Sequence, residues 1–286
     1  MVDPTGVIAI SVRPARTHGR VGSASERVAA RVRGLLAEYE PPSFEEVPTP
    51  DAALFLAAID NSSGYERPHR VEGEGPFEGS ALIWAQALAF ERRRPGLLSA
   101  EALAEVGERE VAAILTVEGD AVSNPAERAR LWRDAAEALS EDYSGSAEEL
   151  IVASEGTLGG PGGLLSRLAA IEAFADPLQK KSFLIAKIWE RRGWLAVVDP
   201  SSWEVSADSV LMRLALRSGL VAPSDDVEAV RAATRDAFRE VADLAEIPPP
   251  VLDDLLWERG REDPDLVGSE AGDLREPPRR PGVHFY

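Results

Sequence analysis

The chain has 286 residues, of which 44% are hydrophobic, enough for one large hydrophobic core or two smaller ones. It has no cysteine, which excludes disulfides, iron–sulfur clusters and thiolate zinc sites, and its three histidines have no metal-binding spacing, so we expect neither a metal nor a cofactor. The formal net charge of −18 disfavours binding to duplex DNA, except through a narrow basic patch, and favours a small substrate.

The N-terminal part is predicted to contain a helical arm, a linker and a short buried helix. The first forty residues are locally basic, without a signal-peptide pattern, and Ser23 and Glu26 have capping-box spacing ahead of a helix that Pro41-Pro42 ends. A Pro-rich linker runs to residue 50, and 51–60 predicts a buried helix because it is apolar almost all round. We therefore divide the chain into an N-terminal helical arm and linker (1–50) and one further domain (51–286).

From residue 61 a polar loop rich in Gly and Pro extends to residue 80, and helical periodicity then continues. Helices are predicted at 79–94, 99–106, 108–117, 125–141, 146–154, 163–174, 178–192, 206–219, 226–245 and 249–260. The Gly-rich segment 155–168 lacks the Lys-Ser/Thr of a phosphate loop and predicts a mobile connector. The strand signal is confined to 195–198. The predicted fold is all-α, with two helical lobes and a cleft between them. No apolar run approaches the ~20 residues of a membrane span, so we expect a cytoplasmic protein without membrane contact.

The segment DPLQKKSFLIAKIW (176–189) carries two candidate nucleophiles. Asp176-Pro177 marks the start of a helix, which places Lys180 and Lys181 in its first turns. The positive end of a helix disfavours a lysine cation and would lower its pKa, as a nucleophilic amine requires. The structural alternative is a pair of solvated lysines.

Two further segments carry candidate acids and an aromatic residue. In EVSADSVLMRLALRSGLV (204–221), Ser206 is predicted to cap a helix with Asp208 in its first turn, where an acid stabilises the helix dipole. Asp199 in VVDP is a second candidate acid, although Asp-Pro is also a common turn. In DLAEIPPPVLDDLLWERGR (243–261), Trp257 either packs in the core or stacks on a base.

Taken together, residues 165–260 resemble the helix-hairpin-helix N-glycosylases, and most of all the archaeal 8-oxoguanine DNA glycosylases. QKKSFLIAK resembles the lysine-bearing hairpin helix of that group, VSADSVLMRLALRSGLV its Pro-x-Asp segment, and IPPPVLDDLLW its Ile-Pro-Pro ending. The resemblance implies a helix-hairpin-helix DNA-glycosylase-like fold for 51–286. The spacing from Lys180 to Asp208 is shorter than in that group.

A second family, the queuosine-nucleotide N-glycosylases, shares the superfamily fold and a Lys and Asp pair. FLAAIDNSSGY (55–65) is similar to its early aromatic segment with Asp and Asn, and RRPGVHFY (279–286) is similar to its C-terminal ending. The chain departs from this family where Ser-Gly-Tyr replaces the Phe-x-Phe-Trp platform, and where Ser-Ala-Asp-Ser-Val-Leu-Met-Arg replaces Phe-Ala-Asp-Tyr-Arg-x-Pro-Gln.

Both resemblances imply the cleavage of a base–sugar bond by Lys180 and Asp208. The carboxylate would stabilise the positive charge that develops on the sugar, and it would accept the proton of an amine that attacks the anomeric carbon. Lys181 and Asp199 are the alternative catalytic residues. The base pocket needs an aromatic face and polar groups, and its candidates are Trp257, Asp60, Tyr65 and Phe77.

Three functions are open at this point. The first is a DNA glycosylase that acts on a modified purine of the 8-oxoguanine type, with or without lyase activity. The second is a nucleotide N-glycosylase that releases a queuine-like base from a modified mononucleotide. The third is a non-catalytic helical interaction protein. The lysine helix favours the first function, whereas the net charge and the C-terminal tail favour the second.

Overall fold

The computed structural model describes residues 23–269, 277–278 and 284, and these residues are mostly helical, as predicted. The helices are α1 (Ala24–Leu35), α2 (Pro50–Ala58), α3 (Gly79–Arg93), α4 (Ala100–Leu103), α5 (Glu108–Leu115), α6 (Pro125–Asp142), α7 (Ala147–Ala153), α8 (Leu164–Leu168), α9 (Lys180–Arg191), α10 (Ser209–Arg217), α11 (Val227–Ala245) and α12 (Pro249–Gly260). Two strands, β1 (His69–Val71) and β2 (Glu74–Phe77), form an antiparallel hairpin. Within the described ranges, no helix is both long and apolar enough to cross a membrane.

The chain divides into two compact units. Unit 1 combines residues 1–39 with 207–280 and contains α1, α10, α11 and α12. Unit 2 combines residues 40–206 with 281–286 and contains the β-hairpin and α2 to α9. The domain boundary predicted between residues 50 and 51 lies inside unit 2.

The core of unit 2 is built around α2, which is buried along its length as its sequence predicts. The side chain of Thr49 caps the helix by accepting a hydrogen bond from the backbone N–H of Ala52 at 3.1 Å. Residues 52–58 are completely buried, and α2 packs against α6, α7 and α9. The Trp132 indole donates a hydrogen bond to the Phe55 carbonyl at 2.7 Å. The C-terminal end of α2 is therefore fixed deep in the unit.

The two strands lie inside the segment that the sequence predicts to be a loop, 61–80. Gly73, with φ of +89°, makes the turn, and the hairpin packs Val71 and Phe77 against Leu82 and Val117. The segment 195–198, to which the strand signal of the sequence is confined, forms no strand in the structure. It is held by a hydrogen bond from the backbone N–H of Val198 to the Gly156 carbonyl at 3.0 Å.

Unit 1 begins with the predicted capping box. The Ser23 hydroxyl accepts from the Glu26 N–H at 3.2 Å, and the Glu26 carboxylate accepts from the Ser23 N–H at 2.6 Å. The helix that follows, α1, packs on α11, where the Ser25 hydroxyl donates to Glu240 at 2.8 Å. Unit 1 thus depends on pairing the N-terminal helix with a helix from the last quarter of the chain.

Candidate functional site

Two of the predicted site residues, 120 positions apart in sequence, form an ion pair in unit 2. Lys180 is the first residue of α9, and its Nζ donates to Asp60 Oδ2 at 3.2 Å. The Lys180 side chain is 13% exposed and that of Asp60 is 10% exposed. The pair therefore lies at the edge of the protein interior, where a charge interaction is much less screened than in water.

The local sequence fixes where α9 begins. Asp176 is buried, and its carboxylate accepts hydrogen bonds from the backbone N–H groups of Leu178 at 3.1 Å and Lys180 at 3.0 Å. Gln179 is in the left-handed conformation, with φ of 55°, and leads directly into the helix. The sequence prediction that Asp176-Pro177 starts a helix, with both lysines in its first turn, is confirmed.

The second lysine, Lys181, points into the protein. Its side chain is completely buried, and its Nζ donates a hydrogen bond to the Ala58 carbonyl at 2.7 Å. Burial, and to a lesser degree the positive charge of Lys180, lowers the pKa of Lys181 to about 7. Lys181 thus holds the last turn of α2, while Lys180 holds the aspartate that follows it.

An arginine that the sequence did not bring to attention completes this cluster. The Arg128 guanidinium, on α6, donates to the Ile59 carbonyl and Asn61 Oδ1 at 2.5 Å each, and to the Ser62 carbonyl at 2.7 Å. Burial lowers the pKa of Arg128 to about 10, and the negative charge of Asp60 partly opposes that effect. We call Asp60, Arg128, Lys180 and Lys181 the Lys180 cluster.

Two of the candidates for a base pocket pack near the hairpin. The Tyr65 hydroxyl donates to the Leu115 carbonyl at 2.5 Å, and burial raises the pKa of Tyr65 to about 12. Phe77 is half-buried at the end of β2, where it packs against Val71 and Leu82. Both aromatic residues have structural contacts, and their role in base binding stays a prediction.

Asp199, the alternative acid, binds the Gly-rich connector. Its carboxylate accepts from the backbone N–H groups of Leu158 at 2.7 Å and Gly159 at 2.9 Å, and from the Ser202 hydroxyl at 2.6 Å. Burial raises the pKa of Asp199, but these three hydrogen bonds outweigh burial and the pKa falls below its usual value. The segment 155–168, predicted to be a mobile connector, is thus fixed near its N-terminal end by an ionised carboxylate.

The remaining predicted residues, Asp208 and Trp257, belong to unit 1. Asp208 itself caps α10, because its Oδ1 accepts from the backbone N–H groups of Val210 at 2.9 Å and Leu211 at 3.0 Å. The prediction that Ser206 caps this helix was therefore wrong. Since Lys180 is in unit 2, its pairing with Asp208 stays a prediction.

Trp257 lies on α12 and is 38% exposed. The Arg261 guanidinium carbon lies 4.8 Å from the centre of a Trp257 ring, which is the geometry of a cation–π contact. This contact occupies one face of the ring, and stacking of Trp257 on a base stays a prediction.

The distribution of lysine is a signal that sequence reasoning missed. The chain has 31 basic residues, and its lysines are Lys180, Lys181 and Lys187, all on α9; the other 28 are arginines. An arginine is always charged, whereas a lysine amine can be neutral and act as a nucleophile. The residue type that can act as a neutral nucleophile is thus confined to α9, the helix that carries Lys180 and Lys181.

A buried histidine lies in the same unit, at the hairpin. His69 Nδ1 is 3.2 Å from Glu118 Oε2, and His69 Nε2 is 2.9 Å from Asp120 Oδ2. The bond from His69 is the main reason that the pKa of Asp120 is lowered. The described residues contain no group of three or more His, Asp or Glu that could hold a metal ion. His69 thus ties β1 to the turn at 118–120.

Two features that the sequence indicates, the basic N-terminal segment and the C-terminal tail, lie mostly outside the described residues. The arginines at 13, 16 and 20 lie outside the described residues, as does the tail 279–286 apart from His284. His284 Nδ1 is 3.5 Å from Glu127 Oε1.

No model of a known protein family matches this chain, and no curated protein matches its sequence.

Proposed function

We propose that the chain is an N-glycosylase of the helix-hairpin-helix type that releases a modified purine from its sugar, with Lys180 as the nucleophile. The observation that carries this proposal is the ion pair between Lys180 and Asp60 at the start of α9, at 3.2 Å. A nucleophilic amine needs a base within hydrogen-bond reach, and Asp60 meets that requirement. The restriction of lysine to α9 supports the same conclusion.

In the proposed reaction, Lys180 and Asp60 act one after the other. The Lys180 ammonium passes a proton to the Asp60 carboxylate, and the neutral amine attacks the anomeric carbon of the sugar. The bond from that carbon to the purine breaks, its electron pair leaves with the base, and the base takes the proton from Asp60. The nitrogen of the lysine–sugar adduct is positively charged after the attack, and it passes a proton to the ring oxygen as the sugar opens to a protonated Schiff base. Water hydrolyses this Schiff base, which releases the sugar and regenerates the Lys180 ammonium.

The other candidates do not take part in the proposed reaction. Asp208, which caps α10 in unit 1, has no step in this reaction. Lys181 is less suited to attack a substrate, because its amine is buried and bonded to the Ala58 carbonyl. Asp199 is less suited to act as a base, because three donors already bind its carboxylate.

A purine in DNA is the first substrate that we propose, since the lysine helix and the Ile-Pro-Pro segment resemble a DNA glycosylase group. The net charge of −18 favours a second candidate, a modified mononucleotide, because a strongly acidic protein repels a polyanion more than a small anion. Both candidate substrates undergo the same cleavage of the base–sugar bond. They differ in whether the site must bind a DNA strand or a single nucleotide.

The test measures released base by mass spectrometry. The wild type is offered a duplex with one 8-oxoguanine and, in parallel, queuosine 5′-monophosphate. Lys180→Arg serves as the matched variant, since it keeps a cation beside Asp60 but has no nucleophilic amine, and Lys180→Gln removes the charge as well. Borohydride is added during turnover to trap a Schiff base.

Release from one substrate that both variants abolish, with a trapped adduct in the wild type, is the expected result. Release from the duplex with a steep salt dependence identifies DNA as the substrate. If Lys180→Arg remains active and nothing is trapped, the lysine serves only as a charge and the reaction is simple hydrolysis. If the wild type releases neither base, the proposal fails for both and a non-catalytic interaction protein takes its place.

A further inference from the structure

The backbone on both sides of Asp60 is bonded to one side chain, that of Arg128. The Arg128 guanidinium is completely buried and binds the carbonyl of Ile59, the side chain of Asn61 and the carbonyl of Ser62. We infer that Arg128 is a positioning residue that holds the Asp60 carboxylate against Lys180, an inference that rests on the proposed function. Arg128 acts through the loop and not on a substrate.

The chemistry of the contact explains why an arginine is needed. A guanidinium has five N–H donors in one rigid plane, so it can bind several carbonyls in fixed directions at once. In Arg128, Nη1 binds Ile59 and Asn61, Nη2 binds Ser62, and Nε binds the carbonyl of Ser123 at 2.9 Å. A lysine offers a single nitrogen and could not reach all four acceptors.

The loop that carries Asp60 is also bonded to the start of α6 by its backbone. The Ser123 N–H donates to the Ser63 carbonyl at 2.7 Å, and the Ser123 hydroxyl donates to the Ser62 carbonyl at 2.8 Å. Gly64 has φ of +75°, and a Cβ atom there would lie 2.5 Å from the Ser123 side chain. This close approach brings Arg128 within hydrogen-bond distance of the loop, because the arginine is in the first turn of the helix that follows Ser123.

Two basic side chains thus donate hydrogen bonds to the end of α2. Lys181 binds the Ala58 carbonyl and Arg128 binds the next one, that of Ile59. The last carbonyls of a helix lack partners within the helix and carry a partial negative charge, so cations stabilise them. With Ala58 and Ile59 fixed, the direction in which Asp60 leaves the helix is fixed as well.

The test compares Arg128→Lys with the wild type in two measurements. The first is the exchange of the Lys180 amine protons with water, followed by NMR of protein labelled with ¹⁵N only at lysine. The chain has three lysines, so the spectrum has three side-chain signals, and Lys187 serves as the internal reference. We expect about tenfold faster exchange at Lys180 in the variant, because its bond to Asp60 becomes transient.

The second measurement is the single-turnover rate of base release with enzyme in excess over the substrate. A misplaced Asp60 should lower this rate by about a hundredfold, with substrate binding changed much less, since a small displacement in a reacting group has that effect. The matched control is Arg133→Lys, on the same helix, where the wild-type guanidinium donates to the Val106 carbonyl at 2.6 Å. Arg133→Lys should leave both measurements unchanged.

A folded Arg128→Lys variant with wild-type amine exchange and wild-type rate would overturn the inference. If Arg128→Lys does not fold, Asn61→Ala decides, because it removes one of the acceptors that flank Asp60 and leaves the guanidinium in place. Like Arg128→Lys, Asn61→Ala should speed up amine exchange at Lys180 and slow base release. No change in either measurement would overturn the inference. If the wild type releases no base, the proposed function fails, and the exchange measurement alone decides the role of Arg128.

Discussion

Replacement of Lys181 by methionine should change how the stability of unit 2 depends on pH. The pKa of Lys181 falls from 10.5 to about 7 on folding, mainly because of burial. Below pH 7 the amine is protonated in both states, and the folded protein carries the full penalty of a buried cation. As the pH rises from 7 to 10.5, the unfolded chain binds more protons than the folded protein, so stability increases.

The size of this effect follows from the shift in pKa, which corresponds to about 4 to 5 kcal/mol in total. Between pH 7 and pH 10 the free energy of unfolding of the wild type should therefore rise by about 3 to 4 kcal/mol relative to that of Lys181→Met. Lys181→Arg, which remains charged throughout, should show no such rise and should be destabilised at every pH.

Urea unfolding followed by tryptophan fluorescence measures the effect, because Trp132 and Trp189 are buried in the core of unit 2. Wild type, Lys181→Met and Lys181→Arg would be compared at several values between pH 6 and pH 10. A difference between the wild type and Lys181→Met that stays constant over this range would refute the reasoning, since Lys181 would then titrate alike in both states.

Two further predictions concern unit 2. Gly156→Ala should destabilise the protein by more than about 2 kcal/mol, because the new Cβ would lie 2.4 Å from the Ala196 carbonyl at φ of +74°. Gly162→Ala, at φ of +80° with nothing within 4 Å, should lose only about 1 kcal/mol, and equal losses in thermal unfolding would contradict this. Asp120→Asn should be less stable than the wild type at neutral pH. That gap should close as the pH falls below 3.8, because the pKa of Asp120 is lowered by its bond to His69; thermal melts from pH 7 into the acid range test this, and a constant gap would disprove it.

Local sequence signals predicted most of the helices, because each signal acts within one or two turns. Ser23 and Glu26 form the capping box that their spacing indicates, and the apolar run at 51–60 becomes the buried α2. At the start of α10, a local signal identified the helix but not the residue that caps it. Asp208 and Ser206 are both good caps, and the aspartate, which directly precedes the first helical residue Ser209, accepts the first free N–H groups.

Pairing across the chain was not predictable in the same way. The hairpin at 69–77 has Gly73, Gly75 and Pro76 among its residues, and its stability comes from packing on α3 and on the turn that contains Val117. The contact of Asp60 with Lys180 spans 120 positions and has no local signature. Sequence reasoning selected both residues but assigned Asp60 to base binding, since nothing in either segment shows that they meet.

The discontinuity of unit 1 affects the order in which the chain acquires its structure during synthesis. The α1 helix presents Val28, Ala29 and Val32 as its buried face, and α11, which covers that face, follows residues 40–206 of unit 2 in sequence. Because translation is sequential and domains generally fold as units, the continuous stretch 40–206 can complete its core on the ribosome while α1 still lacks its partner. From the synthesis of α1 until that of α11, the nascent chain therefore carries an amphipathic helix whose apolar face is not yet covered.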